Sequence, residues 1–286
     1  MKTRHLLGFI PALTLLLSGC NSFRMPYYPD SEKYLIGNQE YDTNIAYLDV
    51  HWISGKVTLI EDIDMSGVKL EENSEGLNDK EKVHSYLDTS SNYLSVKFFE
   101  SNYYVSNFDS SKKHLTITYN PEEIVSVFLK LTSGYLEGDA INASSVSLEI
   151  TSGKVKVNKI NTTHFTNEVT SGEVEINELN ASEATVHLTS GRFSVEKANV
   201  LTFNAKMTSG TTNVKFDTLG KGNIEATSGK ISVKLPDEGG KVRASKTSGS
   251  INVHRENYHI IDGVYTFGTG LSELDIKITS GKIDLY

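Results

Sequence analysis

The stretch Leu148-Glu-Ile-Thr-Ser-Gly-Lys-Val-Lys-Val157 decides the fold, because the chain keeps repeating it. Its Ser-Gly corner returns with the glycine at Gly134, Gly153, Gly172, Gly191, Gly210 and Gly229, numbers that advance by 19 five times running. Gly249 and Gly281 follow at wider intervals, and Gly55 stands alone far upstream. A fixed short period means stacked structural units. It also makes each repeated serine a turn residue rather than a nucleophile.

Aligned on the glycine, each unit carries apolar residues seven, five and three positions before it and two and four after it. Val146, Leu148, Ile150, Val155 and Val157 form one set, and Leu274, Ile276, Ile278, Ile283 and Leu285 the last. Alternation of this kind is the period of a half-buried strand. Each unit therefore reads as strand, Thr-Ser-Gly corner, strand and second corner. Asn142, Asn161, Asn180 and Asn199 each lie eight positions after their glycines and mark that second corner, since asparagine tolerates left-handed backbone and bonds its own turn. At one repeat interval they can form a hydrogen-bonded ladder. One coil buries too little to fold alone, so stacking must supply the rest. The expectation is an all-β fold, a single-stranded parallel β-helix (β-solenoid) of about 19-residue coils, spaced about 4.8 Å apart. Outward charges alternate up each stack, as in Lys154, Glu173 and Arg192 or Glu137, Lys156 and Glu175, so opposed neighbours attract.

The N-terminus bounds location. Lys2 and Arg4 precede an apolar run at residues 6–17, shorter than the roughly 20 residues a spanning helix needs. The run reads as a secretion signal. Leu17-Ser18-Gly19-Cys20 follows and resembles the bacterial lipoprotein box, which is cleaved before a cysteine that then carries lipid. Cys20 is also the only cysteine, so no intramolecular disulfide can form. The expected organisation is residues 1–19 as signal peptide, 20–45 as lipidated cysteine and tether, 46–119 as a divergent N-terminal cap region and 120–286 as regular solenoid with a C-terminal cap. The lipid makes the membrane a partner without a spanning segment, with the protein facing outward from the outer membrane or from the outer face of the cytoplasmic membrane.

The formal charge is −8, and loss of Lys2 and Arg4 with the signal takes it to −10. That balance argues against nucleic acid, whose binding needs a basic patch. Residues 61–82 are acidic and read as a protruding loop. The aromatic stretch that follows, including Tyr93, Phe98, Phe99, Tyr103, Tyr104 and Phe108, has two readings: a plug over the open end of the solenoid or a surface for glycan or protein. Tyr258, Tyr265, Phe267 and Tyr286 would finish the last coils. No phosphate-cradling glycine motif, HExxH or paired CxxC occurs, and no histidine recurs at the repeat interval, so no cofactor, metal or catalytic residue is implied.

From Leu115-Thr-Ile-Thr-Tyr119, through the serial Thr-Ser-Gly units, to Phe267-Gly-Thr-Gly270 and Leu274-Asp-Ile-Lys-Ile-Thr-Ser-Gly-Lys-Ile283, the chain resembles the bacterial putative-adhesin β-solenoid domain family, a domain of unknown function. The resemblance implies binding without naming a ligand, ties some relatives to envelope-stress responses, and brings no catalytic residues. Three functions follow as expectations: a non-catalytic, adhesin-like envelope scaffold; an envelope-stress component that meets a membrane protein or a cationic antimicrobial peptide; and, remotely, a polysaccharide-cleaving β-helix enzyme.

Overall fold

The computed structural model describes residues 23–106 and 108–286; Cys20 and the signal region lie outside them. The chain winds as a β-solenoid whose coils each contribute one leg before the glycine corner and one after it. On the first wall, Tyr93–Lys97, Tyr47–Trp52, Ser126–Leu131 and Ser145–Ile150 pair in parallel in that order. Residues 164–169, 183–188, 202–207, 221–226, 273–278 and 241–246 continue the same parallel ladder. The second wall starts with His114–Tyr119, Lys56–Glu61 and Tyr135–Asn142 and runs on in step. At about 4.8 Å per step the column is roughly 40 Å tall.

The coils do not stack in sequence order at either end. The first coil, Tyr47–Trp52 with Lys56–Glu61, lies between the coil of residues 93–119 and that of residues 126–142. The last strand, Ser272–Leu285, slides between residues 221–233 and Gly239–Val253. Gly281 therefore sits on Gly229, and Gly249 on Gly281. The irregular intervals, Gly55 to Gly134 and Gly249 to Gly281, are the lengths of chain needed to go out one coil and come back under it.

Two expectations change here. Residues 61–82 are not simply a protruding loop. Val68–Asn73 lies antiparallel on His114–Tyr119, with Val68, Leu70 and Glu72 buried. The acidity misleads because the cation that answers Glu72 is Lys113, distant in sequence and adjacent in space. Residues 23–45 are not a free tether either. Phe23–Arg24 pairs with Tyr104–Val105, Leu35–Ile36 with residues 84–85, and Gln39–Tyr41 with residues 68–70. Met25, Tyr28 and Ile45 are buried, which a tether would not allow.

Inside the coils, Val157, Ile176, Val195 and Val214 stand in register as one buried tier, each removed from water by the coil above and below. The corners come very close. A methyl group on Gly191 would overlap the carbonyl oxygen of Gly172 and a γ-carbon of Val169. Gly210 adds a left-handed backbone, φ +114°. Asn180 donates to Asn161 at 2.7 Å and Asn199 to Asn180 at 2.8 Å. The asparagine column is terminated by the Glu61 carboxylate beneath Asn142 and by the Thr218 hydroxyl above Asn199.

Gly191→Ala should lower stability by about 3 kcal/mol through overpacking against fixed main chain. Gly76→Ala, where a methyl meets nothing within 4 Å, should cost only the strain of its positive φ, about 1–2 kcal/mol. Urea unfolding of the two variants side by side tests the difference.

Candidate functional site

The six aromatic residues marked in the sequence do not make one surface. Phe98 and Phe99 are fully buried in a cluster with Phe23, Phe108, Tyr103 and Trp52. Tyr93 turns its hydroxyl to Asp49 at 2.6 Å, and the Tyr103 hydroxyl donates to Glu81. Tyr104 alone among them is more than half exposed, at 55%. The cluster surrounds a buried ammonium. Lys113 Nζ lies 4.6, 4.8 and 5.0 Å from the ring centres of Phe98, Phe99 and Trp52. It pairs with Glu72 Oε1 at 2.6 Å, both side chains being fully enclosed, and donates to the Glu81 carbonyl. Burial pushes Lys113 down to about 8 and raises Glu72. The rings face the cation with their negative faces, which offsets part of its lost hydration. This is a plug for the N-terminal end, with its charges consumed internally.

A second buried carboxylate, Asp49, draws His51 Nε2 at 2.9 Å, Lys97 Nζ at 3.0 Å and the Tyr93 hydroxyl. Burial by itself raises the Asp49 pKa, but His51, Lys97 and Tyr93 outweigh it and hold the carboxyl well below its usual range. Burial also raises Tyr93 and lowers Lys97. An aspartate, a histidine, a lysine and a tyrosine in contact suggest catalysis at first sight. Here three donors converge on one acceptor, which leaves no free base beside a nucleophile.

The third is Asp284, on the inserted last strand. It accepts from Asn252 at 2.9 Å and meets Lys282 at 2.9 Å, His254 at 3.2 Å and Lys230 at 3.5 Å. Tyr286 stacks on His254, ring centres 4.5 Å apart. Lys230, Asp284 and Asn252 belong to three successive coils, so one carboxylate pins the strand between its neighbours. Among the described residues, no three His, Cys, Asp or Glu side chains converge as a metal site would require. Sequence reasoning missed Asp49, Glu72, Lys113 and Asp284, because each is singular in a chain read for its repeats.

The two ends differ. At the N-terminal end both outer legs are covered: His84–Asp88 lies antiparallel on Tyr93–Lys97, and Val68–Asn73 on His114–Tyr119. At the C-terminal end only residues 239–243 of the outer strand are covered, by Val264–Gly268, which in turn carries Tyr258–Ile261. Among the described residues no strand pairs with the outer side of residues 244–253. Ala244, Ile251 and Val253 are consequently only partly buried, while Ile276, Ile283 and Leu285 directly beneath them are enclosed. The hairpin extends one wall beyond the last coil. Its rows Gly240–Phe267–Tyr258 and Val242–Tyr265–Ile260 continue the apolar face. Arg255 bonds the Pro236 and Asp237 carbonyls and lies 5.9 Å over Phe267, fixing the hairpin base. Ile260 on this face is 54% exposed; Ile261, in the outward row Arg243–Val264–Ile261, is 70% exposed, and Leu271 95%. The result is an L-shaped seat with an apolar wall, a half-open floor and a bare strand edge.

The Toastrack DUF4097 family matches residues 49–286, most of the chain. The protein belongs to that family. A structure described as a putative adhesin from Bacteroides fragilis shares the Toastrack fold, with TM-score 0.52 and 12% identity over 89% of this chain and 98% of that one. A putative lipid binding protein from Parabacteroides distasonis aligns with TM-score 0.46 and 14% identity over 87% of this chain and 97% of that one. No curated protein matches the chain.

Lys113→Met should cost about 3–5 kcal/mol, because Glu72 is left as an unanswered buried charge. Adding Glu72→Gln, which still accepts from Val83 N–H, should restore most of that loss. Chemical denaturation of the single and double variants reads the difference. For Asp49 the folded pKa lies below the unfolded value of about 3.9. Its stabilisation is therefore complete above that value and is lost as pH falls through it toward the folded pKa. Asp49→Asn should weaken the protein at pH 7 and flatten the loss of stability between about pH 5 and pH 2, measured by melting across pH.

Proposed function

We propose that this Toastrack protein is a cell-envelope lipoprotein, lipidated at Cys20, that presents its solenoid as a non-catalytic binding scaffold and makes contact through its C-terminal end. The asymmetry of the ends carries this reading. A sheet edge left bare beside exposed apolar side chains is a ready template for another chain, and soluble proteins ordinarily cover or charge it. The N-terminal end is covered on both legs; the C-terminal one is not.

The polarity of the column agrees. Phe23–Arg24, three positions beyond Cys20, is stitched into the covered end. A lipid on Cys20 would hold that end to the membrane and set the seat roughly 40 Å outward. Tyr27, Leu35 and Ile36, exposed on the N-terminal strap, would then face the bilayer side. Supporting the non-catalytic part, the buried carboxylates Asp49, Glu72 and Asp284 are each committed to cations. One structural relative is described as a putative adhesin, which supports a binding role.

The test immobilises the protein and measures saturable binding to purified envelope and to glycan and matrix-protein arrays. Ile260→Lys with Ile261→Lys, both on exposed side chains, should weaken binding about tenfold or more, equivalent to about 1.4 kcal/mol. Tyr104→Lys at the covered end should leave it unchanged. Equal binding by all three proteins would remove the C-terminal end from the site.

A further inference from the structure

We propose that the C-terminal seat is filled by the C-terminal end of a second copy of this chain, the two related by a two-fold axis across the solenoid ends. The inference rests on the reading of that end as the contact surface and names its occupant.

Three observations favour a second copy. The first is shape. In each copy the projecting hairpin covers residues 239–243, the first part of the outer strand, and leaves residues 244–253, from the end of that leg through the Gly249 corner and beyond it, bare. A two-fold rotation lays each hairpin beside the open stretch of the other copy. One surface thereby supplies both what is missing and what projects, the self-complementarity that a symmetric pair requires.

The second is charge. From Tyr258 to Gly268 the hairpin carries one formal charge, Asp262 at its tip; from Ala244 to Val253 the open stretch carries one, Lys246. Both side chains are exposed. In the reciprocal arrangement opposite signs face each other twice. The formal charge of −8 over the whole chain opposes unspecific self-association. The end has no such excess: Lys230 and Lys282 crowd the single Asp284 just beneath the open stretch.

The third is continuity of packing. Every inner coil has its apolar tier closed by another coil of like composition. The outer coil offers the same tier with Ala244, Ile251 and Val253 half covered, under a wall of Tyr258, Ile260 and Tyr265. Apolar side chains of a second copy complete that layer, whereas a hydrated glycan has nothing comparable to place there. With each copy held at its covered end, two-fold pairing of the distal ends joins chains on facing membranes, which is adhesion between like surfaces.

The experiment uses the full chain in detergent for sedimentation equilibrium, and reconstituted in lipid vesicles for clustering by light scattering. The wild type should be dimeric at micromolar concentration and should cluster vesicles. Lys246→Glu alone and Asp262→Lys alone should each weaken association about tenfold or more through like-charge contact. The double variant Lys246→Glu/Asp262→Lys should return to within about threefold of wild type, a rescue that a merely structural role would not produce. Ile260→Lys with Ile261→Lys should abolish clustering. A wild type monomeric up to about 100 μM, roughly a −5.5 kcal/mol limit, overturns the inference, as does a dimer indifferent to these changes. Array binding that depends on the hairpin while copies stay apart sinks this inference alone. Failure of both assays also sinks the C-terminal end as the contact surface.

Discussion

Main chain resting on main chain at the Ser-Gly corners is the constraint on which the structure depends. Successive corners sit so close that the Gly172 carbonyl occupies the space a side chain on Gly191 would need, and the Thr151 carbonyl accepts from the Ser171 amide at 2.7 Å. That contact sets the coil spacing. With the spacing set, strand legs fall into hydrogen-bonding register, apolar tiers align, and the asparagines of the second corner reach one another. A larger residue at the corner would push one coil away from the next and break all three together. The period of the sequence is thus the period of a steric requirement.

A stack of identical coils has no intrinsic beginning or end, and this chain resolves that problem with singular residues. Glu72 with Lys113 locks the antiparallel strand onto the N-terminal coil inside an aromatic enclosure. Asp284 pins the inserted final strand between two earlier coils. Both devices are buried charges, which contribute little net stability but penalise any arrangement that separates the partners. They therefore act on which strand lies where. Interleaving adds to this, because neither the first coil nor the last strand presents an edge that could fray.

Closing the two ends differently has a functional consequence. The N-terminal end uses its aromatic residues as interior, leaving Tyr104 as the mainly exposed member. The C-terminal end places its hairpin on residues 239–243 of the outer strand and leaves residues 244–253 bare. A single molecule thus has one finished end and one unfinished end, separated by the height of the column, and the reading of the protein as a scaffold for contact follows from that polarity.

The repeat made the coil architecture readable from residues alone, since strand alternation around Val146, Leu148, Ile150, Val155 and Val157 is local, and locality survives in sequence. The glycine corners and the ladder of Asn142, Asn161, Asn180 and Asn199 were legible for the same reason, since each recurs at the interval that brings it onto its own copy. The left-handed turn expected at these asparagines is absent, because all four sit on strand backbone and bond the next coil instead of their own turn. The order of the outermost coils was not, because parallel pairing is set by space and nothing in Ser272–Leu285 says that it slips beneath Gly239–Val253. The acidic segment around Glu72 and the aromatic run around Phe98 were equally opaque, as their meaning lies in Lys113 and Trp52, brought alongside by the fold. Periodic contacts are written into the sequence; contacts made once are decided by tertiary structure, where burial and charge are settled between residues far apart in the chain.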